Sequence, residues 1–143
     1  MAFIPVNYEE GDLVLHPMVA ATYTKGQALT TSSGNYTAAA IDQDGAVEAV
    51  CMEGVVIATS GDKALCITTR GVKFLADCVD APAQTDVSLS CDLDSATQLD
   101  PDSVSDNLFF IESIDTSFAN GGLGSVGTST RVFGYFQHEN LNA

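Results

Sequence analysis

Glycine-marked turns recur along this chain at spacings too short for helices: Thr24-Lys25-Gly26, Ser33-Gly34-Asn35, Asp44-Gly45, Ser60-Gly61-Asp62 and Arg70-Gly71, with Asn120-Gly121 further on. Gly, Asn and Asp supply the backbone conformations that tight turns need. Between the turns lie short runs rich in Val, Ile, Thr, Tyr and Phe, which fit a pleated, half-buried surface. Ten strands are expected, at 13–15, 28–31, 36–40, 47–52, 55–59, 63–69, 72–78, 87–91, 108–115 and 128–137. No segment sustains an apolar 3.6-residue period. At most a turn of helix is expected within 80–86 and within 100–107, with Pro82 or Pro101 near its start. The fold class is therefore all-β, a small β-barrel or β-sandwich of about ten short strands.

The organisation reads as one β-barrel domain at 12–137, an extended N-terminal arm at 1–11 and a C-terminal tail at 138–143. Residues 77–115 carry many acids and no cation, and 84–106 reads as a long, solvated acidic loop leaving the core. Over the whole chain five Lys and Arg face 19 Asp and Glu, for a net charge of −14. Five scattered cations cannot make the basic patch that nucleic acid requires, and an anionic membrane would repel the chain. No apolar run reaches the roughly 18–20 residues of a spanning helix. The first residues lack a basic, then apolar, leader pattern and carry Pro5, Glu9 and Glu10, so no secretory signal is read there. Cys51, Cys66, Cys78 and Cys91 match no zinc spacing and are expected to be reduced, buried thiols.

Tests for chemistry fail one after another. Gly122-Leu123-Gly124-Ser125-Val126-Gly127 satisfies G-x-G-x-x-G, but a dinucleotide fingerprint needs a following helix and an acid ~20 residues on. The stretch reads instead as a loop between two strands. Asp92-Leu93-Asp94 and Asp100-Pro101-Asp102 suggest calcium, yet the positions where an EF-hand demands Gly and Glu hold Thr97 and Ser103, or Ser105 and Ile111. A looser divalent-cation site there stays open. His16 and His138, the two histidines, lie near opposite ends of the chain and read as surface residues, and no G-x-S-x-G elbow is present. No catalytic residue, cofactor or metal ligand is assigned, and the chain is not expected to be an enzyme.

The stretch 53–78, EGVVIATSGDKALCITTRGVKFLADC, holds successive strands each entered through a glycine bend. Alternation puts Leu65 and Ile67 on one face and Ala64, Cys66 and Thr68 on the other. It likewise gathers Val72, Phe74, Ala76 and Cys78 opposite Lys73, Leu75 and Asp77. Both faces of each strand thus carry apolar groups, as for strands covered on two sides.

The order Thr24-Lys25-Gly26-Gln27-Ala28-Leu29, then Gly54-Val55-Val56, Ser60-Gly61-Asp62-Lys63, the strand 64–69 and Gly71-Val72 resembles the small β-barrel head-decoration, or capsid cement, proteins of tailed bacteriophages. The likeness covers roughly residues 24–78 and, loosely, the C-terminal third. It implies a structural protein on the virion's outer surface that binds the major capsid protein, bridges capsomers and forms a trimer. A trimer would carry 3 × −14 = −42, so its contacts must be apolar or hydrogen-bonded enough to offset repulsion. The arm residues Phe3, Ile4, Val6 and Tyr8 either pack on their own barrel or, as the candidate contact segment, reach a neighbouring subunit or the shell by strand addition. Removing residues 2–8 should then leave the subunit's melting temperature nearly unchanged. Lys63, Arg70 and Lys73, three of the five cations, are the candidates for an acidic neighbour. The alternative is a β-sandwich module of a virion or tail that recognises host glycans, for which Tyr23, Tyr36 and Phe118 are the candidate aromatics.

Overall fold

A computed structural model describes residues 2–40, 45–120 and 122–139. The expected turns at Asp44-Gly45 and Asn120-Gly121 lie partly outside the described residues, as does most of the tail. Among the described residues the chain forms thirteen strands: Phe3–Asn7 (β1), Leu13–Pro17 (β2), Ala21–Tyr23 (β3), Ala28–Ser32 (β4), Asn35–Ala38 (β5), Ala49–Cys51 (β6), Val55–Ile57 (β7), Lys63–Thr68 (β8), Lys73–Asp77 (β9), Ser90–Ser95 (β10), Gln98–Asp100 (β11), Phe109–Ile114 (β12) and Arg131–Phe136 (β13). Helix is confined to single 3-10 turns at Glu10–Asp12, Gln84–Asp86 and Phe118–Asn120. The all-β class is as the sequence implies.

The strands pair antiparallel in three sheets. A six-stranded sheet runs β1-β9-β13-β12-β10-β11, a five-stranded one β2-β8-β6-β4-β5, and β3 pairs with β7 alone. Both larger sheets roll toward closure. In the first, Cys78 at the end of β9 bridges Leu99 of β11, and the Val79 N–H donates to the Leu99 carbonyl. In the second, Met18 after β2 bridges Tyr36 of β5, and the Val19 N–H donates to the Tyr36 carbonyl.

Alternate side chains of the five-stranded sheet enter two different cores. Ala28, Val50 and Ile67 join Phe3, Phe74, Leu93, Leu99, Phe109, Ile111, Val132 and Phe136 between the two large sheets. Leu29, Ala49, Cys51, Ala64 and Cys66 face the other way and are covered by Met18, Tyr23 and Ile57. Burial on both sides is why β8 reads as apolar on both faces.

Four expectations are corrected. The N-terminal arm is β1, an edge strand in register with β9, from Phe3 opposite Ala76 to Asn7 opposite Lys73. Phe3 is fully buried, its ring 5.0 Å from that of Phe136 and 6.4 Å from that of Phe109. Removing residues 2–8 would therefore open the core, and the expected indifference of the melting temperature to that deletion does not hold. Second, 84–106 is not a solvated loop: β10 and β11 form a hairpin in the six-stranded sheet that buries Cys91, Leu93 and Leu99. Third, the strand expected at 87–91 begins only at Ser90, because Ser88 sits at φ 70° and breaks the extended backbone. Fourth, 100–107 holds turns and no helix; Asp92 organises it.

Candidate contact surface

The proposed contact residues are distributed over β1, β8 and β9, and the structure brings only some of them together. Phe3 belongs to the core and Ile4 and Pro5 are half-buried. Val6 is the extra residue of a bulge between Pro5 and Asn7, which turns it outward to 44% exposure, and Tyr8 follows at 49%. Lys63 opens β8 opposite Pro17, whereas Arg70 lies beyond the other end of that strand. Strand rise separates them by roughly 20 Å, so the three cations form no single patch. Lys73 is engaged locally: its ammonium pairs with Glu112 and lies 5.7 Å from the centre of the Phe133 ring. The Glu112 carboxylate raises the Lys73 pKa. Arg131, the remaining half-covered cation, pairs with Asp77 at 2.9 Å.

Arg70 is different. It sits exposed in the β8–β9 turn between two open hollows. One, of about 490 Å³, is lined by Asn7, Tyr8, Glu9, Asp12, Arg70 and Gly71. The other, of about 330 Å³, is lined by Arg70, Gly71, Gln137, His138 and Glu139. Among the described residues no carboxylate forms an ion pair with Arg70. Gly71, at φ 70°, makes the turn that carries it. Beneath the second hollow the buried Thr69 hydroxyl donates its one proton to the Val47 carbonyl at 2.7 Å, so it accepts from His138 Nε2 at 2.9 Å. That fixes the neutral ring with its proton on Nε2. Burial, then the Arg70 charge, lowers the His138 pKa. Nδ1 is buried without a hydrogen-bond partner among the described residues, so a second ring proton would have no acceptor.

A second surface was legible only as a glycine-rich loop. Residues 115–130 join β12 to β13, and beyond the buried Asp115 they carry no charged side chain. Phe118 is 79% exposed, with Leu123 at 56% and Val126 at 42%. The loop is tied down: the Gly122 N–H donates to the Ser117 carbonyl at 2.7 Å, and Arg131 Nη1 to the Asn120 carbonyl at 2.9 Å. Its glycines serve packing. A Cβ on Gly122 would meet the Asp115 carbonyl oxygen at 2.1 Å, and one on Gly124 would meet the Phe118 ring at 2.5 Å. They close a turn against protein atoms and cradle no phosphate. Of the other candidate aromatics, Tyr23 is buried with its hydroxyl donating to the Val19 carbonyl at 2.6 Å, and Tyr36 stacks on His16 at 3.7 Å. The three do not form a common platform.

The acidic hairpin is built for structure. The Asp92 carboxylate, 3% exposed, accepts from Ser103 Oγ at 2.6 Å and from the N–H groups of Ser105, Asp106 and Asn107 at 2.7–3.0 Å. Its lone pairs are thereby occupied by protein donors. The described residues hold no group of three or more His, Cys, Asp or Glu side chains placed to bind a metal ion. The chain matches no protein-family profile, no curated protein and no solved structure.

Proposed function

We propose that this chain is a structural, non-enzymatic protein of a tailed-phage virion that binds the outer capsid surface as a trimer, contacts the major capsid protein and bridges capsomers. The observation that carries the reading is the β12–β13 loop: on a chain of net charge −14, Phe118, Leu123 and Val126 project from a tethered stretch with no charge at all. A strongly acidic molecule can approach another protein most cheaply through such an uncharged apolar patch, whose burial supplies the binding energy. The resemblance over residues 24–78 gives that patch its expected partner. Tyr8, beside Arg70, and the outward-turned Val6 supply a second place for contact at the other end of β9 and β13.

Co-sedimentation with capsids assembled from the phage's own major capsid protein tests the reading. Phe118→Asp should weaken binding by at least about tenfold, as the loss of a central apolar anchor does. Because the side chain is exposed, the melting temperature should stay within about 2 °C of the parent. Undiminished capsid binding by a folded Phe118→Asp protein would refute the assignment of this loop, and failure of the parent protein to sediment would refute the capsid role.

A further inference from the structure

The second core contains a chemistry that the surface reading does not use. Cys51 of β6 and Cys66 of β8 are direct cross-strand partners, both fully buried. The Cys51 N–H donates to the Gln27 carbonyl and the Cys51 carbonyl accepts from the Gly26 N–H, both away from β8. Meanwhile the Met52 N–H reaches across to the Leu65 carbonyl. Cys51 and Cys66 are therefore a non-hydrogen-bonded pair, the kind whose α-carbons stand about 4.5 Å apart. That lies within the roughly 4.4–6.8 Å that a disulfide spans, and side chains of such a pair project to the same face. The Cys51 thiol donates to the Glu53 carbonyl at 3.1 Å, and the Cys66 thiol lies 3.6 Å from the Ala64 carbonyl and 3.9 Å from the Met18 sulfur.

We propose that Cys51 and Cys66 are an oxidisable dithiol, reduced as the protein is made and closed to a cross-strand disulfide by peroxide. The close approach of the two sulfurs lowers the Cys51 pKa to about 7 and raises that of Cys66. Cys51, three residues from the exposed bend at Gly54, is the attacking sulfur, whereas Cys66 lies in the middle of β8. Its thiolate takes one peroxide oxygen as the O–O bond breaks, giving a sulfenic acid and a hydroxide that leaves as water with the thiol proton. The Cys66 sulfur then attacks the Cys51 sulfur, and the expelled hydroxide leaves as a second water with the Cys66 proton. Two thiols lose two electrons and one peroxide becomes two waters. Cys51 is buried but lies three residues from the bend at exposed Gly54, its thiol donating to the Glu53 carbonyl at 3.1 Å, and an oxidant little larger than water would enter as that bend opens. The product is uncharged and suits its apolar surroundings. A monovalent soft metal ion bound between Cys51, Cys66 and the Met18 thioether, 3.9 Å from Cys66, would instead bury a net anion.

Cys78 and Cys91 provide the internal control, since burial raises the first to about 12 and the second well above its ordinary value. Full-length protein is treated with hydrogen peroxide, alkylated in denaturant and digested. The expected result is an intact mass lighter by two hydrogens, a single peptide link between Cys51 and Cys66, Cys78 and Cys91 alkylated, and reversal by dithiothreitol. Cross-linking within the native pairing should raise the melting temperature by roughly 5–10 °C. Sulfinic acid at Cys51 with Cys66 free, a link through Cys78 or Cys91, no mass change, or a link that lowers the melting temperature would each overturn the proposal. In Cys66→Ser, which keeps a hydrogen-bonding group beside Cys51 but cannot close the disulfide, peroxide should leave Cys51 as a sulfenic acid trapped by dimedone in denaturant; an untrapped Cys51 would overturn its role as the attacking sulfur.

Discussion

At Asp92 a single carboxylate holds an entire connection. Four donors from residues 103–107 converge on it, so the loop leading into β12 takes its shape from one side chain of β10. Charge-assisted bonds of this kind are stronger than neutral ones, and their loss strands buried N–H groups. Asp92→Ala should therefore lower stability by about 2–4 kcal/mol, read from the urea midpoint, while Asp94→Ala should change it little. Nothing in the sequence separates the two residues: both stand in one acidic run, and the distinction arises only where backbone N–H groups meet. His138 was equally unreadable, since its Thr69 partner is far away in sequence. Its depressed pKa has a definite sign. The unfolded chain takes up the proton near pH 6.5, the folded chain only at lower pH, so stability present above that point is lost as pH falls. The melting temperature should decline from pH 7 to 5.5, and His138→Gln should flatten that slope.

At the scale of elements, most strands were legible because glycine turns and β-branched runs are local signals. β4, β5, β8, β9, β12 and β13 fall where the pattern puts them, within a few residues. The three strands missed were β1, β3 and β11, and each has a physical reason. β1 contains Pro5, tolerated because it is an edge strand, and β3 and β11 are three residues long with no turn glycine between them and the preceding segment. The acids of β10 and β11 disguised a hairpin whose Leu93 and Leu99 face the core. β1 is a pillar of the fold. Phe3→Ala should cost about 3–5 kcal/mol, the usual loss for emptying a buried ring site. Tyr8→Ala, one residue past the strand and half exposed, should stay within about 0.5 kcal/mol. Denaturant titration of both variants distinguishes a structural β1 from a detachable arm.

Across the whole molecule, the acidity sets conditions rather than architecture. A net charge of −14 on a chain this small repels itself, and salt screens that repulsion as the Debye length falls from about 30 Å at 0.01 M to about 10 Å at 0.1 M. The melting temperature should rise over that interval; a flat or falling trend would mean that local pairs such as Lys73–Glu112 and Arg131–Asp77 dominate instead.

The five-stranded sheet is a wall shared by two cores, with β3 and β7 closing one side and the six-stranded sheet the other. Its central amides, in β6 and β8, have no route to solvent that spares either core. In deuterated water they should be the last to exchange, released only when the whole chain opens, while the amides of the exposed segment 123–128 exchange early. The same wall gives the molecule a clock: the exchange of the slowest protons at its centre reports how often the whole fold opens, and the outer loops can breathe without disturbing them.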